Sequence, residues 1–135
     1  MNQRLDALLV AKHPNLFVDR FANMQRTAMC WGFECGSGWY KIIKDAADKL
    51  EVLIAIEKAR NPEGWEVGYF RASQIKEKYG TLCFYLSGGT DEMYKVVDQA
   101  ERKSATICEK CGKPGKLRGR GWVYTACKKH VRDGD

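Results

Sequence analysis

Four residues near the end of the chain have the types and spacing that hold a metal ion. Cys108 and Cys111 stand two residues apart, Cys127 and His130 repeat that spacing, and fifteen residues separate the pairs. Zn²⁺ takes thiolate and imidazole ligands in a tetrahedron, and a two-residue spacing lets one tight knuckle turn two ligands toward one ion. Gly112, directly after the second cysteine, suits the left-handed turn such a knuckle needs. With all four positions supplied by the protein, no position is left for a reacting water, so the expectation is one structural Zn²⁺ and not a catalytic one.

Charge singles out the same segment. Residues 110–135 carry eight bases and two acids, whereas residues 1–109 carry fifteen of each, so the whole formal charge of +6 lies on the tail. Between the cysteine pairs, KLRGRGWVYT reads as a hairpin presenting Lys116, Arg118 and Arg120 beside Trp122 and Tyr124. Such a hairpin either contacts phosphates with stacking support or is simply the solvated face of a small unit. Further up the chain, Gly36-Ser37-Gly38 before a helix offers free backbone N–H groups to an anion. Arg71, Lys76 and Lys78 lie on or beside a predicted hairpin, with Trp31, Tyr40, Trp65 and Tyr79 as stacking surfaces or core.

Catalysis finds little support. An acid–base site needs a proton-handling pair, and of two histidines His130 is assigned to metal while His13, before Pro14, reads as a capped or surface residue. Glu34 and Cys35 have no histidine to orient them. Cys30, Cys35 and Cys83 are spaced irregularly and are either free thiols or, with His13, a second metal site. The first residues show no export signal and no segment reaches the roughly 20 apolar residues of a membrane span. A protein kept in the cytoplasm follows as the expectation, with cysteines reduced.

The elements that must position these groups follow from periodicity. A short helix over residues 4–12, with Leu5, Leu8 and Leu9 apolar, ends at His13-Pro14. Phe17, Val18, Phe21 and Met24 continue an apolar stripe at helical spacing. Ser37 is placed as the N-cap of a long helix whose buried face is Ile43, Ala46, Ala47, Leu50, Leu53 and Ile54, stopped by Asn61-Pro62-Glu63-Gly64. The chain then turns extended from Trp65 to Lys78, reverses near Tyr79-Gly80, and continues as a strand with Leu82, Phe84 and Leu86 inward. Thr90 caps a second helix with Met93, Val96, Val97 and Ala100 buried, which runs into the knuckle without a linker. The expected architecture is α+β: a body of helices packed on a β-hairpin over residues 1–106, with a treble-clef or zinc-ribbon-like knuckle, residues 107–135, docked on it.

Three phrases, ECGSGWYKII, QIKEKYGTLCFYL and CEKCGKPGKLRGRGWVYTAC, together resemble a group of small, largely uncharacterised proteins of bacteriophages and prophages, over roughly residues 30–130. The resemblance implies a phage accessory protein acting in the bacterial cytoplasm. Two functions stay open: a module binding nucleic acid or a nucleotide-like anion, in the service of countering a host defence, or a protein-interaction or inhibitor module directed at a host protein.

Overall fold

The computed structural model describes residues 1–66 and 68–135. Asn2 opens helix α1 (Gln3–Lys12) by accepting from the amides of Arg4 and Leu5 at 2.8 and 3.2 Å. Only Leu9 of this helix is fully buried. His13 ends it as the C-cap and is buried too, joined at 2.7 Å each to the Leu9 carbonyl and the Asp48 carboxylate, so of the capped and surface readings the first holds and the second is corrected.

The apolar stripe that follows is not a helix. Val18–Phe21 is one 3₁₀ turn, Phe17 alone enters the core, and Phe21 and Met24 are exposed. Two ion pairs fix this irregular stretch instead: Arg20 with Asp6 at 3.0 Å and Arg71 with Asp19 at 2.7 Å. Each guanidinium also donates to a main-chain carbonyl that has no ladder partner there, Arg20 to Cys30 and Arg71 to Gly68, both at 2.8 Å.

A two-residue strand, β1 (Phe33–Glu34), was not expected from the sequence. It pairs in parallel with β2 (Arg71–Lys78), which pairs antiparallel with β3 (Thr81–Ser87), giving the order β1-β2-β3. Of the extended run foreseen from Trp65, Val67 lies outside the described residues and the strand itself begins at Arg71. The reversal at Tyr79-Gly80 stands as read, with positive φ at both residues (52° and 83°). That pair of angles matches the right-handed twist of the strands it joins.

Helix α2 (Tyr40–Arg60) lays Ile42, Ile43, Ala46, Ala47, Leu50 and Ile54 into the core, with Leu53 half-buried. Its entry differs from expectation. Ser37 sits in a 3₁₀ turn, Ser37–Trp39, and its hydroxyl accepts from the Asn2 amide at 3.0 Å without capping α2. Helix α3 (Asp91–Ser104) starts at Thr90, whose side chain accepts from Met93 N–H at 3.3 Å, and buries Met93, Val97 and Ala100. Both helices cover one face of the sheet, through Phe33, Ala72, Ile75, Leu82 and Phe84. α3 also shields the free edge of β3: the amides of Leu82 and Phe84 donate to Ser104 Oγ at 2.8 Å and the Glu101 carboxylate at 2.9 Å. An edge protected in this way is not a template for another strand.

The tail forms a second, two-stranded sheet of β4 (Lys116–Arg118) and β5 (Tyr124–Ala126), followed by a 3₁₀ turn at Lys128–His130. The mixed α+β class is thus the one foreseen. Among the described residues no helix is long and apolar enough to cross a membrane.

Candidate metal centre

The knuckle folds as its sequence dictates. Cys108 N–H donates to Lys113 C=O at 2.7 Å and Gly112 N–H to Cys108 C=O at 2.9 Å, closing the first loop. Gly112 takes φ of 81°, which its neighbours could adopt only with strain. On the other side His130 N–H returns to Cys127 C=O at 3.1 Å, so one 3₁₀ turn brings the imidazole beside the thiol.

Cys108, Cys111, Cys127 and His130 consequently present four ligand atoms that all lie within 4.8 Å of one another. His130 Nδ1 lies 3.5 Å from Cys108 Sγ and 3.2 Å from Cys127 Sγ, and the Cys111 and Cys127 sulfurs are 3.7 Å apart. All six cysteines are free thiols. Burial pushes the Cys108 thiol up, but the amides of Cys127, Cys111 and Lys110 turned toward its sulfur outweigh that and lower it to about 6. A thiol so poised is readily available as a thiolate, and thiolate is the form that ligates. The cluster could hold a metal ion. Among the described residues it is the one such group, and Cys30, Cys35 and Cys83 do not assemble with His13 into a second. Cys30 Sγ donates to Thr27 C=O at 3.2 Å, while Cys35 is buried in apolar surroundings that push its thiol up to about 12.

The Gly36-Ser37-Gly38 turn is half-buried and meets the knuckle. Gly36 N–H donates to the Glu109 carboxylate at 2.9 Å and Gly38 N–H to the Glu109 carbonyl at 2.7 Å. A Cβ on Gly38 would collide with the carbonyl oxygen of Cys108. Two of the three amides that suggested an anion site, those of Gly36 and Gly38, are therefore engaged by a residue lying between two of the cluster's own cysteines. Trp39, fully buried, donates its indole N–H to Ile107 C=O at 2.8 Å and completes the seam. Sequence reasoning missed Glu109, since nothing in its neighbourhood distinguishes it from a surface acid.

A second contact joins the body hairpin to the knuckle hairpin. Thr125 Oγ donates to Gly80 C=O at 2.6 Å, and a Cβ on Gly80 would lie 2.7 Å from a methyl of Leu117. Tyr79 beside it is 78 % exposed and Trp122 on the knuckle 75 %. Lys116 and Arg120 are exposed, Arg118 is half-buried with its Nε donating to Ala126 C=O at 2.9 Å, and Lys78 lies over the Tyr79 ring at 5.6 Å. Tyr124, expected as a stacking ring, is buried instead, with the Arg132 guanidinium 4.1 Å above it. Arg71 stays at the far end of β2, bound to Asp19 and to Gly68 C=O at 2.8 Å. Of the other aromatic residues, Trp31 is exposed while Tyr40 and Trp65 are half-buried against the core.

Comparison with protein-family models, with curated proteins and with solved structures finds no match to this chain.

Proposed function

We propose that this chain is a zinc-stapled accessory module of a bacteriophage that binds nucleic acid or a nucleotide-like anion through the tip where its two hairpins meet. The observation that carries the reading is the seam at Gly80. There Gly80 packs on Leu117, Tyr124 and Thr125 of the knuckle hairpin, so the turn carrying the exposed Tyr79 ring, with Lys78 over it, adjoins the hairpin that carries the exposed Trp122, Lys116 and Arg120. Rings supply stacking that tolerates any base, and cations supply phosphate contact.

Zinc is the ion the cluster fits best. Thiolates at about 2.3 Å and an imidazole at about 2.0 Å, set at tetrahedral angles, stand about 3.7 Å apart for sulfur pairs and about 3.5 Å for sulfur and nitrogen. Two separations in the cluster, 3.7 and 3.5 Å, match those figures, a third of 3.2 Å is shorter, and all four ligand atoms lie within 4.8 Å of one another. Zinc bound there would hold both knuckle loops and so fix the tip; the treble-clef or zinc-ribbon-like description belongs with this assignment. A non-catalytic role fits side chains already engaged: His130 at the cluster, and His13 between Leu9 and Asp48. Phage origin, the bacterial cytoplasm and a place in countering host defence rest on the resemblance of the three sequence phrases.

The test is the salt dependence of oligonucleotide binding. Because Arg118 also holds the hairpin, the cleaner variant is Lys116→Gln with Arg120→Gln, both exposed. Counterion release predicts that this pair lowers the slope of log affinity against log salt by about 1.4 on a single strand. An unchanged slope in a variant of unchanged melting temperature would favour the second reading, a module that docks on a host protein. The observation behind that alternative is the exposed apolar set Phe21, Met24 and Trp31, at 82, 65 and 61 %.

A further inference from the structure

We infer that the outer face of the three-stranded sheet continues the hairpin tip as a track for single-stranded nucleic acid, an extension that rests on the binding reading above. The sheet has one covered face and one open face. Phe33, Ile75 and Phe84 form a row across β1, β2 and β3 that points into the core. The next row, Glu34, Lys76 and Cys83, points the other way, and Gln74 with Tyr85 and Lys78 with Thr81 share that side by the two-residue period of a strand. Tyr85, Lys78 and Glu34 there are exposed, and the remaining members are half-exposed.

The chemistry of this face is specific to its occupant. Lys76 and Lys78 project from the central strand on the side that carries Glu34, whose carboxylate accepts from Gln74 at 3.5 Å, while the Glu101 carboxylate stands at the β3 edge near Tyr85, bonded to the Phe84 amide at 2.9 Å. Tyr85 stands beyond them on β3 and Tyr79 at the turn, beside Gly80, which meets Leu117, Tyr124 and Thr125 of the hairpin that also carries Lys116, Arg120 and Trp122. The face, its turn and the adjoining hairpin thus offer three exposed rings, Tyr85, Tyr79 and Trp122, together with these cations. A protein partner would be matched by an apolar centre, which this face lacks. A phosphate backbone is matched by the cations. Rings standing out from a sheet can stack only on bases whose faces are free, and a duplex hides those faces, so the occupant is a single strand.

Fluorescence anisotropy with a labelled dodecathymidylate and with a twelve-base-pair duplex tests this on the zinc-loaded protein. Three proteins are compared: the parent, the sheet variant Lys76→Gln with Lys78→Gln and Tyr85→Ala, and the tip variant Lys116→Gln with Arg120→Gln. Circular dichroism and melting confirm that each is folded. For the turn itself Tyr79→Asn is the suitable change, since Asn tolerates the positive φ that an alanine would not. The parent is expected to bind the single strand at least tenfold more tightly than the duplex. The sheet variant should lose about tenfold on the single strand and lower the salt slope by about 1.4, in addition to the separate loss in the tip variant. If the tip variant weakens binding but the sheet variant binds like the parent, or if duplex binds as tightly as single strand, the track is wrong while the tip reading stands. If no oligonucleotide binds the parent, the track and the nucleic-acid form of the tip reading both fall.

Discussion

The indole N–H of Trp39 donates to the main-chain carbonyl of Ile107 at 2.8 Å, and through this bond the fully buried ring of the body reaches the residue before the first cysteine of the metal cluster. Trp39→Phe keeps an aromatic ring there but removes that donor together with part of the packed indole, so some cavity cost adds to the lost bond. Leaving the Ile107 carbonyl without it should cost about 1–3 kcal/mol. Thermal melting should drop accordingly, and a chromophoric chelator should extract metal faster from the variant. Unchanged melting and extraction would mean the knuckle is held by other contacts.

Gly38→Ala tests the same seam from the other side. The added methyl has to displace backbone, the Cys108 and Glu109 carbonyls, not the end of a flexible side chain. Loss of a few kcal/mol is expected, within the about 1–3 kcal/mol typical of overpacking or beyond it. Ser37→Ala, which removes only an acceptor for the exposed Asn2 amide, should lose much less. Equal melting temperatures for the two variants would contradict the close approach.

Metal removal should act locally. The knuckle has its own small apolar cluster of Cys108, Tyr124, Ala126 and Cys127, too little to stand without the ion, whereas α2 and α3 are held by the main core. Chelation, or Cys111→Ser, should abolish hydrogen-exchange protection in residues 108–130 while the α2 amides around Ala47 and Leu50 stay protected. Uniform loss across the chain would show one cooperative unit instead.

Stability should carry a pH signature from Glu101. Burial raises its carboxyl above the ordinary value, against the Phe84 amide, which lowers it, and with a smaller push upward from Asp98. Between the ordinary and the raised value the folded chain holds more of the proton than the unfolded chain, so stability declines as pH rises through that window. Glu101→Gln stays neutral and can still accept from Phe84. Its melting temperature should match the parent in acid below the carboxylate range and exceed it at pH 7. Glu101→Ala leaves the Phe84 amide on the free edge of β3 without its partner and should be less stable than the Gln variant throughout. A Gln variant that gains nothing between acid and pH 7 would overturn the assignment.

Much of the frame was legible because its signals are periodic or chemical. Ile43, Ala46, Ala47, Leu50 and Ile54 mark α2 by spacing, Thr90 marks the start of α3, and the cysteine pairs mark the knuckle by ligand type. Where the sequence misled, tertiary contact decided. Phe21 and Met24 have helical spacing but sit on turns fixed by the Arg20–Asp6 and Arg71–Asp19 pairs, and they face solvent. A two-residue strand such as Phe33–Glu34 is too short to carry a period. Gly36 and Gly38 show why glycine is ambiguous: the same open backbone that could receive an anion receives the Glu109 carboxylate and carbonyl, and only the fold distinguishes the two.

The claim on which the rest depends is that Cys108, Cys111, Cys127 and His130 hold one zinc ion that fixes the knuckle against Trp39 and Gly38. A native mass spectrum of the freshly purified protein tests it directly. The expected result is the mass of the chain plus one zinc, shifted to the bare chain in Cys111→Ser. A bare chain with full hydrogen-exchange protection across residues 108–130 would contradict it.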